Sequence, residues 1–148
     1  MDRADDLFQR ALSKLGRKDY RVAIADFTKA IELKPDFMGA YFYRGKAKSD
    51  LGDYQGAIAD FTKAIDLKPD FSEAYHNRAR AKTSIADYQG SIADLTKTIN
   101  LNGDDAESYF DRGIAYLGLG QKSKAIEGFE RAKKLGYRVP QEALDMCK

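Results

Sequence analysis

Cysteine is almost missing from this chain: one residue, Cys147, stands next to last. A lone thiol excludes an internal disulfide framework and any all-cysteine metal centre. Histidine is as scarce, with His76 alone, so a site built on two imidazoles is excluded too. Charge of one sign is also lacking. Basic and acidic side chains number 25 and 23, a net charge of +2, and no block of like charges occurs. That removes the electrostatic footprint of a nucleic-acid binder and any charged tail. No stretch has the apolar length of a membrane span. The opening MDRADDLFQR carries acids where a signal peptide needs a basic region and then an apolar run. These absences lead us to expect a cytoplasmic chain with no nucleic-acid and no membrane partner.

What is present is repetition. Residues 53–71 read DYQGAIADFTKAIDLKPDF, and residues 19–37 read DYRVAIADFTKAIELKPDF, with 16 of 19 letters shared. A worn copy, DYQGSIADLTKTINLNGDD, occupies 87–105, and the offset is 34 residues each time. A fainter fourth copy, QKSKAIEGFERAKKLGY, covers 121–137. A period of roughly 20–50 residues marks a stacked array.

Each copy reads as two helices. Leu7, Phe8, Ala11, Leu12 and Leu15 fall on one face of a helix over 2–15. Asp19, whose carboxylate can accept from the free amides of the next turn, is the expected N-cap of a helix over 20–33. Pro35 ends that helix. The same logic predicts helices over 37–51, opened by Asp36, and over 54–67, capped by Asp53. Further helices are expected over 71–85, 88–101, 105–119 and 122–135. Connections this short force neighbouring helices antiparallel. Pro140 suits the first turn of a ninth helix over 140–147. Ala143, Leu144 and Cys147 share one face of it, and Gln141, Glu142, Asp145 and Lys148 the other, as a closing cap requires.

The pattern resembles the tetratricopeptide repeat family. One copy shows Tyr41, Arg44-Gly45, Lys48, Ala57, Phe61, Ala64 and Pro69 at the family's spacing. Another shows Tyr109, Arg112-Gly113, Tyr116, Ala125, Phe129 and Ala132, and the first keeps Ala23, Phe27, Ala30 and Pro35. The resemblance implies an all-α, right-handed α-α superhelix of four helix pairs plus a C-terminal capping helix. As one domain over 1–148 it divides into repeats of about 2–36, 37–70, 71–104 and 105–137, with the cap over 138–148. The third copy has Ser91, Leu95, Thr98 and Gly103 where its siblings have Ala, Phe, Ala and Pro, so its second helix is expected to pack least well. The first copy reads as carrying two extra residues around Arg17 and Lys18.

No constellation for catalysis stands out. His76 has no second imidazole, Cys147 no nearby histidine, and the glycines form no phosphate loop. We expect no enzyme activity, no cofactor and no metal, with His76 an exposed or groove-lining aromatic. The resemblance implies a protein-interaction adaptor, its first helices lining a concave groove for a peptide or protein segment. The alternatives are a self-assembling module and a regulatory part of a larger protein. The groove residues carried over are Arg10, Lys14, Phe42, Tyr43, Lys46, His76, Asn77, Arg80, Phe110, Asp111 and Ile114. Arg10, Lys46 and Arg80 read as one place in three successive copies, a line of cations. With the apolar Phe42, Tyr43, Phe110 and Ile114 they suit an acidic segment bearing an apolar anchor. The competing reading is a solvated polar face. Family members that clamp a chaperone's carboxylate tail use Lys and Asn, then Asn, then Lys and Arg. Asn77 matches, but Phe42, Lys46, Glu107 and Asp111 do not, so that partner is not expected.

Arg44, Arg78 and Arg112 stand where the family has a core leucine, and Asp26, Asp60 and Asp94 recur at the same interval of 34. Partly buried charges are seldom left unpaired. Pairing each arginine with the preceding aspartate (Asp26–Arg44, Asp60–Arg78 and Asp94–Arg112) leaves no member over and is the register expected.

Overall fold

The computed structural model describes residues 2–148. The elements are α1 (Arg3–Gly16), α2 (Tyr20–Leu33), α3 (Met38–Asp50), α4 (Tyr54–Leu67), α5 (Ser72–Ser84), α6 (Tyr88–Leu101), α7 (Ala106–Gly118), α8 (Lys122–Lys134) and α9 (Gln141–Asp145). Among the described residues there is no strand. The chain divides into two compact units, one ending at Ala74 and one beginning at Tyr75, inside α5. In the first, α1 packs on α2, α2 on α3 and α3 on α4; in the second, α6 packs on α7 and α7 on α8.

The turn that closes each pair explains why the period holds. Lys18, Gly52, Ala86 and Gly120 have φ of 65°, 83°, 62° and 75°. They recur every 34 residues, and each follows a first helix ending at Gly16, Asp50, Ser84 or Gly118. Left-handed backbone at that place reverses the chain at once. The first copy therefore has no two-residue excess around Arg17 and Lys18; it is in phase with its siblings.

Two of the second helices share one cap. The Asp53 carboxylate accepts from the amide of Gly56 at 3.0 Å, and that of Asp87 from Gly90 at 3.0 Å. Asp19 takes the same N-cap position but makes no side-chain cap. Three residues on, Val22 replaces the glycine. A Cβ at Gly56 would collide with the Asp53 carboxylate as it is placed, so that placement is closed to Asp19 beside Val22. The cap of α3 is Phe37, without a side-chain hydrogen bond, in place of the expected Asp36.

One core cluster of the first unit is Ala11, Ala23, Phe27, Ala30 and Ala40, with Leu7, Phe8, Leu12, Leu15, Ile31, Phe37 and Tyr43 packed on it. Alanines let the helix backbones approach, and phenylalanines fill what remains. In the second unit Ala125, Phe129 and Ala143 gather Phe110, Ile114, Leu117, Val139, Leu144 and Cys147. The terminal segment thus covers α8 as expected, although α9 has only five helical residues. The third copy's polar substitutions do not loosen α6: Ser91, Leu95 and Thr98 are fully buried. The Thr83 hydroxyl donates to Ser91 Oγ at 2.7 Å and that of Thr98 to the Asp94 carbonyl at 3.1 Å. Buried hydroxyls with partners carry little penalty.

Candidate functional site

Charges on the first helices separate into those already engaged and those still available. The Arg44 guanidinium grips the Asp60 carboxylate bidentately, Nε to Oδ2 at 2.8 Å and Nη2 to Oδ1 at 2.7 Å. Arg78 holds Asp94, and Arg10 holds Asp26, with the same two distances. Lys48 and Lys82 add a second cation to Asp60 and Asp94, at 3.1 and 3.0 Å. The register expected from the sequence is therefore wrong. Each arginine pairs with the aspartate 16 residues later, inside its own helix pair. The two residues are equidistant from the turn at Gly52 or Ala86, and equidistant positions face each other in an antiparallel pair. Asp26 does have a cation, since Arg10 is the missing first member of the arginine series. The tie to the preceding pair goes through threonine instead: Arg44 Nη1 donates to Thr28 Oγ1 at 3.1 Å, and Arg112 Nη1 to Thr96 Oγ1 at 3.0 Å.

This phasing removes Arg10 from the cation line. Its counterparts are Arg44 and Arg78, whereas Leu12 stands in the place of Lys46 and Arg80. The Arg10 side chain, 57% exposed, is committed to Asp26, whose carboxyl it holds below the usual range against the opposing effect of burial. Lys14 is near enough to Asp26 for its charge to act there. Phe42 is not groove surface either. It is 2% exposed, its ring 4.7 Å from Phe71 and 5.9 Å from Phe61. The exposed Lys46 extends over the half-buried Tyr43 ring, its Nζ 5.6 Å from the centroid, and makes no ion pair among the described residues. Phe110 stacks on Tyr137 at 4.8 Å and lies 5.4 Å from Phe129. Asn77 is half-buried on α5. Arg80, Thr83, Ser84, Ser91, Asp111 and Ile114 line a depression of about 210 Å³ between α5, α6 and α7.

His76 takes the place of Phe8, Phe42 and Phe110 in its copy, and Asp105 the place of Phe37 and Phe71. An aromatic contact of 4.7 Å in the first unit thus becomes a polar one in the second. His76 Nδ1 lies 3.9 Å from Asp105 Oδ2, and Nε2 lies 2.8 Å from Asp111 Oδ2. Far from being an exposed aromatic, its side chain is only 14% exposed. Burial works against the imidazolium, but the Asp111 hydrogen bond and the charges of Asp111, Glu107 and Asp105 outweigh it and raise the His76 pKa above the usual value. Arg80 Nη1 reaches Glu107 at 3.5 Å across a solvent-exposed gap, a contact worth little. The Tyr137 phenol is pushed up by burial and then by the charges of Asp111 and Glu107.

One ligand atom each from His76, Glu107 and Asp111 lies within 4.8 Å of the others. A divalent ion there would have to displace the imidazole proton that Asp111 and Glu107 help to hold. Sequence reasoning missed this cluster because it sought a second histidine. The paired exchange of Phe for His76 and Asp105 at repeat-equivalent places was the signal.

Two models of the tetratricopeptide repeat family match the chain, over residues 8–70 and 106–135. None of the curated proteins matches it. Among solved structures, MamA residues 41 to the end from Desulfovibrio magneticus RS-1 is 25% identical with a TM-score of 0.88, over 92% of this chain and 77% of that one. Another MamA crystal structure is 26% identical with a TM-score of 0.85, over 89% and 72%. A thermophilic tetratricopeptide repeat protein of Thermus thermophilus is 17% identical, with a TM-score of 0.73 over 90% and 74%, a likeness of fold alone.

Proposed function

This chain belongs to the tetratricopeptide repeat family, whose fold serves in general as a protein-interaction scaffold, and we propose that it binds acidic segments of a protein partner at the first-helix faces within each unit. The observation that carries the reading is the contrast among their cations. Arg10, Arg44, Lys48, Arg78 and Lys82 are engaged by aspartates within the chain. Lys46 makes no ion pair among the described residues, and Arg80, 61% exposed, makes only the long contact to Glu107. A partner's carboxylate at either cation displaces water alone or a weak neighbour, so little is lost in exchange. Tyr43 beside Lys46 and Ile114 beside Arg80 give each cation an apolar neighbour for an anchoring side chain. In this reading the protein acts in the cytoplasm and catalyses nothing. Glu107 and Asp111 near Arg80 repel a bare carboxylate tail, which disfavours the chaperone-tail mode and favours a segment with apolar residues flanking its acid.

The test is capture of partners by the intact protein beside the Lys46→Glu/Arg80→Glu double variant. Partners should be lost at low salt while the melting temperature stays nearly constant, because neither side chain holds a buried contact. Unchanged capture by a folded double variant refutes the reading.

A further inference from the structure

The fourth helix pair breaks the arginine–aspartate rule, and the break leaves a vacancy. Arg112 continues the series of Arg10, Arg44 and Arg78 every 34 residues, but Gly128 stands where Asp26, Asp60 and Asp94 would be. Tyr116 likewise stands where Lys48 and Lys82 place their ammonium groups. Arg112 keeps the threonine contact, Nη1 to Thr96 at 3.0 Å. Among the described residues it makes no ion pair, and the Nε and Nη2 edge that its siblings use on a carboxylate has no acid opposite it.

A depression of about 320 Å³ opens at this place. Arg112, Lys124 and Arg131 supply three cations to its lining, and Glu127 the one carboxylate. Glu127 makes no ion pair among the described residues, so it does not stand in for the missing aspartate. Tyr109 and Tyr116 hold the cations in place. The Arg112 and Arg131 guanidinium carbons lie 5.5 and 5.7 Å from the Tyr109 centroid, and Lys124 Nζ lies 5.5 Å from that of Tyr116. Guanidinium held against an aromatic face keeps its edge free for a planar, bidentate anion. Three sibling arginines show what such an edge takes here, a carboxylate at 2.7–2.8 Å.

We propose that the Arg112 pocket binds a carboxylate supplied from outside the chain, the aspartate or glutamate side chain of a protein partner. The pocket shares no residue with the first-helix faces discussed above, so the two proposals stand or fall separately.

The Nε–Hε signals of Arg112 and Arg44 in the intact chain form an internal pair for the test. Titration with acetyl-Ala-Asp-Ala-amide should shift the Arg112 signal to saturation and leave Arg44, already engaged by Asp60, in place. Acetyl-Ala-Asn-Ala-amide should do neither. Acetate separates the sources: weaker binding than the aspartyl peptide supports a partner side chain, and tighter binding replaces it with a small free carboxylate. Arg112→Gln should weaken peptide binding at least ~10-fold, the loss of one charge-assisted bidentate contact. Gly128→Asp should weaken it as much by filling the pocket from within. Its Cβ would lie 3.0 Å from the Tyr109 carbonyl, so Arg112→Gln decides if that variant misfolds. Equal response to the asparaginyl peptide, parallel movement of Arg44, or inorganic phosphate binding more than ~10-fold tighter than the aspartyl peptide overturns the proposal.

Discussion

The same place in the repeat is built of hydrocarbon throughout the first unit and, at His76, of charge in the second. In the first unit Phe8 and Phe42 meet Phe37 and Phe71 at 4.7 Å. In the second, His76 meets Asp105 and Asp111, at 3.9 and 2.8 Å. Backbone geometry barely notices: α3 and α5 each have 13 residues and end at equivalent positions. A repeat fold thus fixes where side chains meet more tightly than what they are, because helix packing depends on volume and spacing. The consequence is a division of properties. The aromatic version supplies apolar burial that pH does not affect. The polar version supplies a titrating group and a place where partner charge is felt.

The largest effect should come from removing the aromatic version. Phe42→Ala should cost about 3–5 kcal/mol in denaturant unfolding, since the ring is buried between Phe61 and Phe71. Phe110→Ala, at a half-buried position, should cost distinctly less. Equal losses would show that the difference in burial between the two rings carries no energetic weight.

Next come the engaged charges. Asp60→Ala leaves Arg44 and Lys48, with side chains 15% and 21% exposed, without their carboxylate, and should cost about 3 kcal/mol. Replacing Arg44 and Asp60 together by leucine should cost less, because no buried charge is stranded. A double variant worse than the single one would mean that the pair stabilises beyond its desolvation cost. Smaller still is the turn: Ala86→Gly should add about 1 kcal/mol to stability by relieving a φ of 62°. Gly52→Ala should lose a similar amount, read as opposite shifts in the unfolding midpoint.

The smallest effect, and the one that separates the units most cleanly, is in pH. The folded pKa of His76 is raised. Its contribution is therefore fully present below about pH 6.5, the unfolded value, and is lost as pH rises through the folded value. Asp26 is depressed, so its contribution is present above about pH 4 and is lost as pH falls through its folded value. Melting in a pH series should show the alkaline loss in the natural chain and its disappearance in His76→Phe. A profile unchanged by that substitution would assign the titration elsewhere.

Much of this was legible in the letters. The 34-residue period, the helix pairs and the alanine and phenylalanine core all followed from spacing, because burying one stripe per helix needs only a pattern. Pairing did not follow. Two registers fitted the arginines and aspartates, and the neater count favoured the wrong one. Arg10 falls out of phase with Arg44 only if two extra residues are counted beside Lys18, and the left-handed turn there shows that none exist. Phe42, expected on the groove from the family pattern alone, is core instead; a position one or two residues along a helix turns by roughly 100–200°.

The sequence by itself determined an all-helical array, its period, its closing turns and its lack of a two-histidine or cysteine site. These depend on local propensity and one-dimensional spacing. Only the tertiary structure decided which charges are engaged, that among the described residues Lys46 makes no ion pair while Arg10 does and Arg112 faces no aspartate, and that His76 lies among three carboxylates. Such facts depend on distances across helices, where a fraction of a turn decides whether two side chains meet.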